Sequence, residues 1–177
     1  MMDQDVLVRS VTDATSEVFS MMLDMQVEFT AVLGDTMPSN GGLVSLVGIT
    51  GEWGGSGVFC CSPALASLLS TRMLGTAPVA GKPIIDEEVL DVVAEVTNMV
   101  VGNIKNGVEA FTGPLAISVP TVVHGRNFQF RSASSLSGVA LAFSTEGEQF
   151  EVRIGLAPIF EQASLRSRIP VLGLAHA

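Results

Sequence analysis

At 177 residues the chain is long enough to bury one substantial core, and 47% hydrophobic against 15% charged residues make it apolar for its size. Its net charge is −9, from 9 basic against 18 acidic side chains, which argues against nucleic acid as a partner because phosphate neutralisation needs a basic face. The most apolar windows, residues 21–33 and 89–104, are broken by Asp24, Glu28, Asp91 and Glu95 and fall short of the roughly 18 unbroken apolar residues of a membrane span.

In chain order, the start Met1-Met2-Asp3-Gln4-Asp5 has neither the basic nor the apolar region of a signal peptide, so a cytoplasmic location is expected. Val6, Leu7, Val11, Val18, Met21, Met22 and Met25 recur at helical spacing and predict a first helix over about 5–26. Gly34 and the Pro38-Ser39-Asn40-Gly41-Gly42 cluster mark a loop. A run of β-formers at 43–50, a glycine-rich turn at 51–56 that holds Trp53, and a second apolar run at 57–61 predict a hairpin.

Ser62 caps and Pro63 opens a helix that continues to residue 73 and stops at Gly75. The acidic cluster Asp86-Glu87-Glu88 suits the positive end of a longer helix over about 86–106, ending near Gly107. Residues 115–123 read as a strand carrying Pro120, and 137–144 with 149–154 flank Thr145-Glu146-Gly147-Glu148 as a second hairpin. These elements predict an α+β (or α/β) fold with a mostly antiparallel sheet, in a single domain over 1–160, with residues 161–177 a loosely ordered tail.

No P-loop, nucleophile elbow or Rossmann fingerprint is present. Cys60 and Cys61 are strand neighbours that point to opposite faces, and His124 and His176 stand alone, so neither a disulfide nor a metal site is expected. The low charge count for so apolar a chain suggests self-association, and a homodimer is expected.

The long helix carries the chemistry. Val89, Val92, Val93, Val96, Met99 and Val100 gather on its core side, leaving Asp91, Glu95, Asn98, Gly102 and Lys105 as an opposite stripe. A glycine inside a helix costs about 1 kcal/mol relative to alanine, so Gly102 points to a docking stripe rather than a solvated face. Glu and Asn with no nucleophile or His base beside them cannot form a complete hydrolase. They can complete a partner's site, the amide aiming a water and the carboxylate pairing with a cation. The pattern has an echo: Asp13, Glu17 and Ser20 repeat D-x3-E-x2-[S/N] exactly 78 positions before Asp91, Glu95 and Asn98. We read a duplicated fold with one equipped site and one degenerate one.

Asp91-x3-Glu95-x2-Asn98, followed by Ser118-Val119-Pro120, resembles the signature of the CheC/CheX/FliY phosphatases of bacterial chemotaxis. The runs Gly48-Ile49-Thr50-Gly51 and Gly57-Val58-Phe59 look like the CheX branch, and the resemblance covers roughly residues 5–156. It implies a CheC-like pseudo-duplicated domain with two long helices on one face of the sheet, and a homodimer. It also implies hydrolysis of the aspartyl phosphate of a CheY-like response regulator, which supplies the Mg2+, so that the chain needs no cofactor of its own. Carried over, Asn98 positions the attacking water and Glu95 pairs with the regulator's lysine. Asp91, Gly102 and Lys105 contribute to docking and Pro120 shapes the adjacent strand, while Glu17 and Ser20 are expected to be inactive. The competing expectation is a non-catalytic adaptor, or flagellar-switch-like module, that binds a regulator through the same face.

Overall fold

Local caps account for where the helices of this computed structural model begin; it describes residues 3–34, 42–77, 81, 83–125 and 137–159. In α1 (Gln4–Leu23) the Asp3 carboxylate accepts the Asp5 N–H, and the helix ends where Asp24 turns left-handed at φ 50° and the Asp24 and Met25 N–H groups both close on the Phe19 carbonyl. The first helix is thus shorter than its apolar pattern predicts, and an unforeseen strand, β1 (Glu28–Val32), follows. Buried Met25 and the apolar run around it had masked the boundary.

β2 (Gly42–Gly51) and β3 (Trp53–Cys61) form the expected hairpin, but its turn is confined to Glu52. Gly54, Gly55 and Ser56 are strand residues paired with Ala157, Leu156 and Gly155, and Trp53 pairs with Pro158 rather than sitting in a loop. The glycines there permit close approach: a Cβ on Gly55 would collide with the Gly155 carbonyl oxygen.

Ser62 caps α2 (Pro63–Leu74) by accepting the Leu65 N–H at 3.0 Å, and Gly75 closes it at φ 64°. Asp86 caps α3 (Glu87–Thr112) through the Val89 N–H at 3.0 Å. That helix runs past Gly107, because buried Val108 and Thr112 prolong its apolar stripe.

The strand predicted over 115–123 is two pieces, β4 (Leu115–Ile117) and β5 (Thr121–Gly125). β6 (Ser137–Thr145) and β7 (Glu148–Pro158) form the second hairpin, on a turn whose two residues, Glu146 and Gly147, both have positive φ. The tail beyond 160 lies outside the described residues.

All strand pairs are antiparallel, in the order β1-β6-β7-β3-β2-β4, with β5 continuing along β2. The core lies between the helices and one face of the sheet, centred under α1 on Phe19, Phe59, Phe143 and Phe150; Phe19 and Phe150 stack at 4.8 Å. Cys61 faces this core and Cys60 the small outer cluster with Val44 and Val58. Both thiols are free, and burial pushes Cys60 up to about 12 and Cys61 higher still. No described helix is long and apolar enough to cross a membrane.

This order is a pseudo-twofold. Each half is a helix, an edge strand and a hairpin, and each edge strand pairs with the other half's hairpin, β1 with β6 and β4/β5 with β2. The buried positions Leu7, Val11, Thr15, Phe19 and Leu23 of α1 match Val96, Val100, Ile104, Val108 and Thr112 of α3, a constant offset of 89. Both edges also slip at corresponding places. β1 bulges after the Phe29–Phe143 pair, and β4/β5 breaks after the Ile117–Ile49 pair.

Candidate docking and catalytic face

α3 places Val92, Val93, Val96, Val100, Val101 and Ile104 in the core, so its opposite side must face outward. Asp91 and Glu95 are exposed there, and Asn98, Gly102 and Lys105 are half-buried, forming one continuous stripe. Among the described residues, neither the Glu95 carboxylate nor the Asn98 amide takes a hydrogen-bond or ion-pair partner. The two lie three residues apart, so they are neighbours on the helix surface.

Lys105 differs. Its Nζ lies 2.8 Å from Glu109 Oε1, and the same carboxylate accepts the Leu115 N–H at 3.1 Å, tying the end of α3 to β4. The Lys105 ammonium first, and the Leu115 N–H second, hold the Glu109 carboxyl below its usual range. At Gly102 an added Cβ would meet only Ile117 Cδ1, at 3.8 Å, so nothing in this chain's own packing demands a glycine there.

Beyond Ile117 the sheet edge breaks in a way the sequence did not announce. Residues 118–120 stand opposite only Val47 and Gly48, since the flanking pairs are Ile49–Ile117 and Leu46–Thr121. Ser118 bridges the gap: its N–H donates to the Gly48 carbonyl at 2.8 Å, and its Oγ accepts the Gly48 N–H at 2.9 Å. Pro120, with no N–H, suits an edge that pairs no further. The Ser-x-Pro triplet was visible in the sequence; its clamp on Gly48 was not.

The first-half triad is also outward, and residues 13–20 repeat the burial order of 91–98 up to the last position, where Ser20 is exposed and Asn98 half-buried. Its groups are engaged, however. Glu17 Oε2 accepts Asn103 Nδ2 at 3.2 Å across the α1–α3 groove, and Ser20 Oγ donates to the Glu17 carbonyl at 3.1 Å. The pseudo-twofold offset of 89 carries Glu95 and Asn98 onto Val6 and Arg9, not onto Glu17 and Ser20. The two offsets, 89 and 78, differ by eleven residues, or about three helical turns and ~16 Å, which preserves the face but not the place.

Among the described residues no cluster of His, Cys, Asp and Glu could hold a metal ion. What the α3 stripe offers is a free amide and a free carboxylate on a rigid helix, able to orient a water and to receive a cation.

The sequence matches the family described as chemotaxis phosphatase CheX over residues 43–144. A search of curated proteins finds no match. Among solved structures, a CheC-like superfamily protein from Shewanella sp. PV-4 is similar at 25% identity and TM-score 0.75, covering 88% of this chain and 99% of that one. The chemotaxis protein CheX from Vibrio vulnificus aligns at 24% identity and TM-score 0.73, over 85% and 99% of the two chains. A chain of the CheX–CheY–BeF3–Mg2+ complex from Borrelia burgdorferi aligns at 24% and 0.69, over 85% and 97%.

Proposed function

This chain belongs to the CheX family of chemotaxis phosphatases, and on that premise we propose that it hydrolyses the aspartyl phosphate of a phosphorylated response-regulator receiver domain. The observation that carries the reading is the unpartnered Glu95/Asn98 pair on the outward stripe of α3. Glu17 on α1, by contrast, spends its carboxylate on Asn103 within the fold. Support also comes from the Borrelia relative of similar fold, found in complex with CheY, BeF3 and Mg2+.

The receiver brings the acyl phosphate and the Mg2+ that neutralises its charge; this chain brings position. The Asn98 carboxamide holds a water with its carbonyl and amide so that the water's oxygen lies in line with the phosphorus and the leaving carboxylate. The Glu95 carboxylate pairs with the receiver's active-site lysine, which fixes the docking register. Held on a capped helix seated on the sheet, the water loses little further entropy on reaching attack geometry, and that is where the rate gain arises. Asp91, Gly102 and Lys105 form the contact surface around the pair, and Pro120 shapes its border. The protein works in this proposal as a cytoplasmic homodimer of one domain over 1–160.

The test is the rate of aspartyl-phosphate loss from receivers of the same organism, with wild type, Glu95→Ala and Asn98→Ala. Acceleration by wild type that vanishes in Asn98→Ala while receiver binding persists supports the water-positioning role. Binding without acceleration by any form supports the adaptor instead.

A further inference from the structure

Val119 is 85% exposed, the most exposed large hydrophobic side chain among the described residues. It is not on a loose end. Ser118 on one side is held by two hydrogen bonds to Gly48 and donates its Oγ hydrogen to the Val119 carbonyl at 3.0 Å. Pro120 on the other side has its φ fixed by its ring. Three residues span the place of two, so the chain bows outward at this point. Ile117, immediately before the bow, lies against the Gly102 position, one turn along α3 from Asn98. The bow and the polar stripe therefore border one another.

An edge strand needs a bulge only to deter pairing with other chains. The opposite edge manages with one extra residue, Thr30, between the Phe29 and Ala31 pairs. The insertion at 118–120 also adds one residue, but it holds a large apolar side chain 85% exposed at its summit beside the α3 stripe, which goes beyond that need.

We infer that Ser118-Val119-Pro120 is a docking ridge for the receiver, Val119 making an apolar contact beside the phosphorylated site and Ser118 acting as the positioning residue that presents it. The inference rests on the phosphatase reading and adds a specificity determinant outside the α3 stripe. A pre-ordered apolar knob next to a polar site loses little entropy on binding and fits the pattern of an interface hot spot.

The experiment measures kcat and KM on the phosphorylated receiver, and Kd for the receiver loaded with beryllofluoride and Mg2+, an unhydrolysable mimic of the acyl phosphate. Val119→Ser raises KM and Kd about five- to tenfold with kcat within twofold of wild type, and its exposure leaves the thermal midpoint unchanged. Ser118→Ala raises KM by a smaller factor, and Ser118→Thr, which keeps the hydroxyl, restores it. Val32→Ser, which removes an apolar side chain 55% exposed on the opposite edge, changes neither constant. If wild type is active and Val119→Ser binds and turns over normally, the ridge is an edge guard and the inference is overturned while the phosphatase reading stands. If wild type binds without hydrolysis, the Kd series alone decides the ridge. Wild type that neither binds nor hydrolyses any receiver overturns the underlying reading, and the ridge with it.

Discussion

The two halves of this domain share a plan and differ in what they carry. Each sets one long helix against one sheet edge, and the buried positions of the helices coincide at a fixed offset. On α3 that plan displays Glu95 and Asn98 beside the Ser118–Pro120 bow. On α1 the corresponding positions are half-buried Val6 and exposed Arg9. The halves also seat their helices differently: α3 comes down onto Gly57, where a Cβ would lie 2.5 Å from Val101 Cγ2. A symmetric scaffold therefore offers two equivalent places, and only one carries an outward carboxylate–amide pair. Packing constrains the buried face of both helices, whereas the outward face is free to diverge.

The largest effect that sharpens this contrast is loss of turnover. Asn98→Ala is expected to slow aspartyl-phosphate hydrolysis by about 100-fold or more, the scale of losing an oriented reactant. Glu17→Ala and Ser20→Ala are expected to stay within twofold of wild type in the same assay. Activity that depended on Ser20 would break the comparison outright.

Next comes the seating of α3. Gly57→Ala pushes against buried Val101, and overpacking of this kind costs about 1–3 kcal/mol, measurable as a lower urea midpoint. Gly107→Ala, whose Cβ would meet only the Ser10 hydroxyl at 3.3 Å, is expected within about 1 kcal/mol of wild type, because helix propensity offsets the contact. Below Gly57→Ala in size is the cap: Asp86→Ala should cost about 1 kcal/mol and loosen the start of α3.

A separate effect, on stability alone, lies in alkali. The thiol of Cys60 ionises in the folded chain only near pH 12, above its ordinary value of 9.0, because burial disfavours the thiolate. Its neutral form is thus favoured by folding. The associated stability is fully present below about pH 9 and is lost as pH climbs from there toward 12. Denaturant midpoints at pH 8, 9.5 and 10.5 should fall in that order, and native thiols should resist alkylation at pH 8. A midpoint that rose with pH would contradict this account.

Much of the plan was legible in the sequence because its signals are local. Ser62-Pro63 and Asp86 mark helix starts through their own side-chain bonds, and the α3 stripe follows from angular spacing. β1 was hidden because four of its five residues are exposed and no apolar alternation marks it. Gly54–Ser56 read as a turn because glycine signals chain reversal and close strand approach alike, and only the partner strand decides between them. The split at 118–120 depends on Gly48, seventy residues away. The echo at offset 78 is a lesson in periodicity. Eleven residues make just over three turns, so a sequence can match a helix's face while missing its place along the axis.

The exchange of edge strands between halves has a consequence for how the chain reaches this state. Glu28 pairs with Ser144 and Trp53 with Pro158, so the two local hairpins are joined to each other and to their edge strands only by long-range pairs. During synthesis, α1, β1 and the first hairpin emerge with their apolar faces uncovered and with β3 lacking its second neighbour until β7 arrives. Completion of the sheet therefore waits for the last hairpin, and the long loop closures it requires favour slow folding. Until then, Val47, Ile49 and Phe59 are surfaces a chaperone would recognise.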